Sequence, residues 1–501
     1  MDLRPHDPFG LAACEAELGA LGTQYSDIYF DEVPFNQAAL DDDAYLVVGR
    51  RGSGKTALAQ YFSFQRAKPG AICVEVRKGE VYQEALAEVS RRTSESRAIA
   101  VANLTRVWEY IIWSLIGDAM ARAGSNVKPI DSDTSTARVP ELVADLIAKI
   151  LDFFKGNDES AFAKGVHQFV NKANLGAVRK TATELAIKRP IFIAIDTLEQ
   201  YDIQNAALMN ALAALVEYAS DFNLEYASKH IHLKVFVSGE VYPYMKEAVL
   251  LNPSKVVRHP VYLIWRAKDL LRLIGWRFYR YLEYSGNTPP NGVDWEDYDD
   301  VLAKVWTPHF GKTITNARNL VEDTWPYVLR HTQMRPRQLI QICNAIASRA
   351  MAEGTFPQFT REQIIAGVRT AEVELASEIV NSFKEIYPGV ERILSALVTI
   401  DMMFQGNQLD RRAKESASAW PPGRYSQAEF RQLVAELGVI GRVARGSEVS
   451  GYIDAEFEYA SAERLILTHR DMCVVHPMFY RKLHVQCNAG VRVMPFTVER
   501  L

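Results

Sequence analysis

The chain has 501 residues, of which 48% are hydrophobic and 24% charged, and its formal net charge is -4. This composition is typical of a globular protein with more than one domain, and it excludes a largely disordered chain. A net charge this small gives no overall basic field, so nucleic-acid binding would require a local basic patch.

The first predicted elements form the beginning of an α/β sheet. Residues 1–40 are rich in acidic and aromatic side chains, and we expect them to form an N-terminal segment that covers the core. The apolar run 45–48 predicts a buried strand, and residues 57–64 have helical composition. Pro69 and Gly70 end that helix before a second apolar run at 71–76.

Residues 97–188 predict a helical insertion, because apolar residues between 139 and 154 recur every three or four positions. Three further apolar runs follow at 191–196, 231–237 and 261–265, separated by helical stretches. The sequence therefore predicts an α/β core over residues 41–265, built on a parallel five-stranded sheet and interrupted by the insertion.

The remaining chain predicts two further units. Residues 266–375 have helical patterns broken by a polar loop at 287–292, which indicates an all-helical lid domain. In residues 385–490, predicted helices at 391–404 and 426–437 are followed by alternating segments at 452–459 and 464–468. Helices followed by a hairpin predict a winged-helix domain.

A glycine-rich segment after the first predicted strand fits the phosphate-binding pattern G-x-x-x-x-G-K-[ST]. Glycines let backbone N–H groups converge on phosphate oxygens, and the following helix begins with a partial positive charge. The lysine would reach the terminal phosphates and the threonine would ligate Mg²⁺. A glycine-rich turn with an incidental lysine is the alternative. The predicted ATP-binding residues are Gly49, Arg50, Arg51, Gly52, Ser53, Gly54, Lys55, Thr56 and Ala57.

Two further strands end in polar residues. Asp196 ends the strand 191–196, where its carboxylate would hold the metal together with Thr56. Glu199 would position the attacking water, or it is a solvated carboxylate at a helix start. Ser238, at the end of the next strand, would sense the terminal phosphate, or it is a helix N-cap.

Arginines supply the remaining candidate contacts to phosphate. Arg335 and Arg337 flank Pro336 at the start of a predicted helix, and either guanidinium could reach the nucleotide. Surface arginines at a helix start are the alternative. Arg258, like the arginines of the glycine loop, could contact phosphate across a subunit boundary.

The order of these parts resembles the AAA+ and STAND class of P-loop ATPases, which combine a core, a helical lid and a winged helix. The segment from Asp196 to Gln200 resembles the acidic motif of STAND and KAP-type members, and the segment from Arg335 to Leu339 resembles a lid motif with a sensor arginine. Many AAA+ enzymes carry a second acid directly after the metal-binding Asp, but Thr197 occupies that position here. The resemblance thus allows a slow nucleotide switch, and it suggests a bacterial phage-defence or stress system.

The predicted winged helix favours protein contact over DNA contact. Its alternating segment carries acids at 454, 456 and 458, which would repel phosphates, although arginines at 442, 445, 464 and 470 could offset them. His469 and His476 form no metal-binding pattern.

Neither the cysteines nor the apolar segments indicate an extracellular or membrane protein. No two of the five cysteines have C-x-x-C spacing, so we expect reduced, structural thiols. No segment approaches 18 consecutive apolar residues, and the N-terminus has no apolar stretch after its charges. We expect a cytoplasmic protein without membrane contact.

These features predict an ATPase in which Mg-dependent ATP binding and hydrolysis are coupled to conformational change and to assembly, either as a homo-oligomer or with a protein partner. The alternative is a DNA-binding loader or regulator, switched by ATP, that uses the winged helix. A small-molecule kinase is disfavoured because the lid and the C-terminal domain are larger than acceptor binding needs.

Overall fold

The structure is a computed structural model that describes residues 7–60, 68–76, 97–125, 148, 175–196, 203, 205–248, 256–444, 451–487 and 490–496. It divides into two compact units. The core unit comprises Asp31–Arg51 and Lys55–Leu263. The C-terminal unit comprises Met1–Phe30, Gly52–Gly54 and Ile264–Leu501.

The core unit is built on a five-stranded sheet in the order β2-β3-β4-β1-β5, and all neighbouring strands are parallel. Every residue of β1, β3 and β4 is buried, as expected of strands that are covered on both faces. The predicted parallel five-stranded sheet is therefore confirmed. Its strands are β1 (Leu46–Gly49), β2 (Ile72–Val76), β3 (Ile191–Asp196), β4 (Ile231–Ser238) and β5 (Val261–Tyr262).

Alternate residues of a strand point to opposite faces of the sheet. Helices of the core unit cover both faces. Val48 and Val235 belong to one apolar cluster, and Val47 and Phe236 belong to another. The apolar repeat predicted between 139 and 154 lies outside the described residues, apart from residue 148. The described helices are Pro34–Leu40, Lys55–Ala59, Arg97–Arg122, Leu175–Ala186, Ala206–Tyr226 and Tyr242–Ala248.

The strand order brings three strand ends together. Strand β4 lies between β1 and β3, so Gly49 pairs with Ser238, and Asp196 pairs with Phe236. Because all three strands are parallel, their carboxyl ends meet at the same edge of the sheet. The phosphate-loop strand and the Asp196 strand are thus separated by the strand that ends in Ser238.

The first part of the C-terminal unit differs from the all-helical lid that the sequence predicts. It contains an antiparallel hairpin of β6 (Thr313–Thr315) and β7 (Val321–Asp323), each too short to show a strand pattern in the sequence. A π-helical turn, Leu302–Trp306, joins two short helices. The helices of this region are Ala267–Tyr284, Tyr298–Val301, Thr307–Phe310, Thr324–Leu329, Pro336–Glu353 and Arg361–Ser382.

The N-terminal residues also belong to this unit, with helices Cys14–Leu21 and Tyr25–Ile28. Glu17 forms a buried ion pair with Arg277, with Oε1 and Nη1 2.8 Å apart. The predicted division into four parts, at 1–40, 41–265, 266–375 and 385–490, stays a prediction.

The last part of the unit combines helices with a mixed five-stranded sheet in the order β12-β10-β9-β11-β8. Only β10 and β12 are parallel; the other pairs are antiparallel. Helices and a hairpin are the arrangement that the sequence predicts as a winged helix, but the first helix ends at Leu394 and residues 464–468 form no strand. The elements are helices Val390–Leu394, Gln408–Ser416 and Gln427–Glu436, and strands β8 (Met403–Gln405), β9 (Ile440–Val443), β10 (Tyr452–Glu456), β11 (Met472–Val475) and β12 (Arg492–Met494).

Among the described residues, no helix combines the length and the apolar character needed to cross a membrane.

Candidate functional site

The glycine loop joins β1 to the helix Lys55–Ala59, as the sequence predicts. Gly52 and Gly54 have φ angles of 80° and 99°, in the left-handed region that side chains disfavour. Glycine adopts these angles without strain, so the chain can turn tightly here, as a phosphate-binding loop requires.

Lys55 is buried, and its amine donates hydrogen bonds to loop carbonyls. The distances from Nζ are 2.8 Å to the Gly49 oxygen and 3.4 Å to the Arg50 oxygen. A buried ammonium group requires such acceptors. The charge of Lys55 is thus held under the loop, within reach of an anion bound there.

Thr56 and Asp196 are in direct contact. The Thr56 hydroxyl donates to Oδ2 of Asp196 at 2.8 Å, and only 3% of Asp196 is exposed. These two oxygen donors come from the first turn of a helix and from the end of β3. The structure therefore brings together the two residues that the sequence predicts as Mg²⁺ ligands.

The end of β4 is hydrogen-bonded to the loop through a residue that the sequence reasoning missed. The Gly239 amide donates to the Gly49 oxygen at 2.9 Å. The Glu240 carboxylate accepts the Arg51 amide at 3.0 Å and the Ser238 hydroxyl at 2.6 Å. An acidic residue two positions after a strand end was the only signal in the sequence, and it did not indicate where the carboxylate would point.

Gly239 makes this close approach possible. A Cβ atom at that position would lie 2.9 Å from Cγ of Arg50 and 3.1 Å from its backbone nitrogen. Both distances are shorter than ordinary carbon contacts, so any side chain would push β4 and the loop apart.

The residues present fit a nucleotide with Mg²⁺. The Ser53 hydroxyl in the loop is buried and has no hydrogen-bond partner among the residues that the structure describes, although buried hydroxyl groups normally have one. Mg²⁺ is commonly held by one or two protein oxygens together with phosphate oxygens and water, and Thr56 and Asp196 match that need. Within the described ranges, no group of three or more His, Cys, Asp or Glu residues could hold a metal alone.

The predicted sensor arginines have partners inside the C-terminal unit. Arg335 is buried, and its Nη2 donates to Oε1 of Gln333 at 2.8 Å. Arg337 donates from Nε to the Ala12 oxygen at 3.0 Å and from Nη1 to Glu378 at 3.3 Å. The Arg337 side chain also lies against Gly52, because a Cβ atom on that glycine would be 3.0 Å from Cβ of Arg337.

The other predicted site residues are not all described. Ala57 is half-buried in the helix that follows the loop. Arg258 belongs to the core unit, where its amide donates to the Tyr45 hydroxyl at 3.1 Å. Glu199 and Thr197 lie outside the described residues.

No family model and no curated protein matches this chain. Among solved structures, the chain is similar to the ORC2 protein of Aeropyrum pernix, described as ADPNP-ADP complexes. The two chains are 13% identical, and the match covers 93% of this chain and 91% of that one with a TM-score of 0.29. A similarity at this level carries no argument about function.

Proposed function

We propose that this chain binds ATP with Mg²⁺ at the glycine loop and hydrolyses it to ADP and phosphate. The observation that carries the proposal is the 2.8 Å hydrogen bond between Thr56 and Asp196. It joins the end of the loop to the carboxyl end of a different strand, beside a buried lysine. Glycine turn, lysine, hydroxyl and carboxylate are the parts that phosphoryl transfer to water requires.

When bound, Mg²⁺ would neutralise the negative charge that develops on the phosphate oxygens. The chain's own residues would bind and orient the substrate. The Lys55 amine would exchange its loop carbonyls for phosphate oxygens, and the Ser53 hydroxyl would gain the partner that it lacks. Thr56 and Asp196 would hold the metal, and Glu199 would orient the attacking water.

We further propose that the nucleotide state controls assembly with a second copy of the chain or with a protein partner, in the cytoplasm. Thr197 after Asp196 allows slow turnover, which suits a switch. Either Arg335 or Arg337 would report the nucleotide state. Membership of the AAA+/STAND class and a role in phage defence stay predictions that rest on the resemblance.

The charges of the predicted winged helix support a protein partner over DNA. In the helix Gln427–Glu436, the exposed positions are 427–429, and the charged residue among them is Glu429. Arg442 pairs with Glu456 at 2.7 Å, and Arg464 pairs with Glu436 at 2.7 Å. These arginines are offset by carboxylates, which weakens their attraction for DNA phosphates.

Steady-state ATP hydrolysis tests this proposal, with the wild-type chain and a Glu199→Gln variant assayed with and without duplex DNA. We expect Mg-dependent turnover that is insensitive to DNA, and loss of turnover with retained ATP binding in the variant. Salt-sensitive stimulation by DNA would favour the loader alternative instead. ATP binding without turnover in the wild type would refute hydrolysis and leave a nucleotide switch.

A further inference from the structure

The Ser238 hydroxyl already donates its proton in a hydrogen bond within the protein. It donates to Oε2 of Glu240 at 2.6 Å and accepts the Glu240 amide at 3.3 Å. A serine hydroxyl has one proton, so it cannot donate to a phosphate oxygen while this bond exists. Ser238 would therefore need a change at Glu240 before it could act as a phosphate donor.

The other oxygen of Glu240 holds the glycine loop. Oε1 accepts the Arg51 amide at 3.0 Å, so one carboxylate joins the loop to the end of β4. Glu240 is 6% exposed and Ser238 is 1% exposed. Hydrogen bonds to a buried carboxylate are strong, because water does not compete for it and the charge assists each bond.

This carboxylate lies beside the place where an anion would bind. Gly49 pairs with Ser238 across the sheet, and the Gly239 amide bonds to the Gly49 oxygen. Strand β4 also lies between β1 and β3, which carry the glycine loop and Asp196. The negative charge of Glu240 thus opposes each additional phosphate at this edge of the sheet.

We propose that Glu240 is a positioning residue that sets the preference of the site for ATP over ADP. It fixes the loop through the Arg51 amide and retains the Ser238 proton, which would otherwise stabilise the terminal phosphate. This role rests on the proposed function, because it requires a nucleotide at the loop. A partner or ligand that neutralises or displaces Glu240 would release Ser238 and strengthen ATP binding selectively.

A Glu240→Gln variant separates the two roles of the carboxylate. The glutamine oxygen can still accept the Arg51 amide, and its NH₂ group can donate to the Ser238 oxygen, which frees the hydroxyl proton. We expect the ratio of the ADP dissociation constant to the ATP dissociation constant to rise about tenfold, in line with one hydrogen bond to a charged group. The exposed Glu225, on the helix Ala206–Tyr226, provides a matched control, and Glu225→Gln should leave the ratio unchanged.

A Ser238→Ala variant completes a double-mutant cycle with Glu240→Gln. Alone it should keep the ratio within about twofold of the wild-type value, because the wild-type hydroxyl does not donate to phosphate. Combined with Glu240→Gln, it should lower the ratio below that of Glu240→Gln alone, because the freed hydroxyl proton is absent; the gain that remains comes from the lost negative charge of Glu240. All affinities are measured by isothermal titration calorimetry with Mg²⁺, after circular dichroism has shown that each variant is folded.

Three results would overturn the proposal. They are an unchanged ratio in Glu240→Gln, a gain that is as large in the double variant as in Glu240→Gln, and a loss of ATP preference in Ser238→Ala alone. The last measurement does not depend on Glu240→Gln folding. A wild-type chain that binds neither nucleotide would reject the proposed function itself, whereas normal binding with an unchanged ratio would reject only the role of Glu240.

Discussion

Replacing Asp196 with asparagine should remove most of the contribution of Mg²⁺ to ATP affinity. The asparagine oxygen can still accept the hydrogen bond that Thr56 now donates at 2.8 Å. The fold around β3 is therefore retained, and the change is the loss of one negative charge.

The size of this effect follows from the burial of the carboxylate. Asp196 is 3% exposed, so solvent screens its charge only slightly. The gross attraction to a divalent cation is largely offset by the cost of desolvating both ions. A net contribution of about 1.5–3 kcal/mol, typical of interactions with charged groups, corresponds to roughly a 10- to 150-fold change in affinity.

The assay is the binding of a fluorescent ATP analogue, with its dissociation constant measured in EDTA and in excess Mg²⁺. The dissociation constant in EDTA divided by the constant in Mg²⁺ should fall roughly 10- to 150-fold in Asp196→Asn. The same ratio should be unchanged in Asp221→Asn, which alters an exposed carboxylate of the same unit. If Asp196→Asn kept the wild-type ratio, Asp196 would not be a metal ligand.

Two predictions concern stability. Burial, with a smaller effect from the positive charge of Lys234, lowers the pKa of His232 to about 3. The unfolded chain binds the proton with a pKa of about 6.5, so the free energy of unfolding should fall by about 2 kcal/mol between pH 7 and pH 5. A His232→Phe substitution should remove this part of the pH dependence. Urea denaturation at pH 7 and pH 5 measures it, and equal pH dependence in both proteins would contradict the reasoning. Arg277→Met leaves the buried Glu17 carboxylate without its ion pair, and the free energy of unfolding should fall by about 3–5 kcal/mol. Adding Glu17→Gln to Arg277→Met removes the unpaired buried charge, so the double variant should recover part of the lost free energy of unfolding in urea denaturation. If it recovers none, the loss comes mainly from the packing of the Arg277 side chain.

The sequence predicted the core sheet well, because strands that are buried on both faces are short, continuous apolar runs. The run 191–196 ended in an aspartate, and the rule that parallel strands present their carboxyl ends to one edge placed it near the glycine loop. The contact between Thr56 and Asp196 was therefore predictable. The position of β4 between β1 and β3 was not, because strand order depends on contacts that are distant in sequence.

Short elements with mixed polarity were missed. Strands β6 and β7 have three residues each, too few for a periodic pattern. The alternating segment 464–468 was predicted to form a strand, but it forms none. The strand in this part of the chain is β11, which is hydrogen-bonded to both β8 and β9. Ile466 in the predicted segment is 74% exposed, so its alternation does not reflect a buried face.

The hydrogen bonds of Glu240 to the Arg51 amide and the Ser238 hydroxyl could not be predicted, because they require the glycine loop and the end of β4 to lie close together. The local sequence pattern does not indicate that these two segments lie close together. Side-chain hydrogen bonds between loops from different strands are set by tertiary packing, which local sequence patterns do not determine.

The most direct test of the central claim is ATP binding by the purified chain and its Lys55→Ala variant, measured by isothermal titration calorimetry with Mg²⁺. We predict that the wild type binds ATP and that the variant loses about tenfold or more in affinity, since a charge-assisted contact to phosphate is removed. Lys246→Ala, which changes an exposed lysine of the same unit, should bind as the wild type does. Equal affinity in the wild type and Lys55→Ala, or no binding by the wild type, would contradict a nucleotide site at this loop.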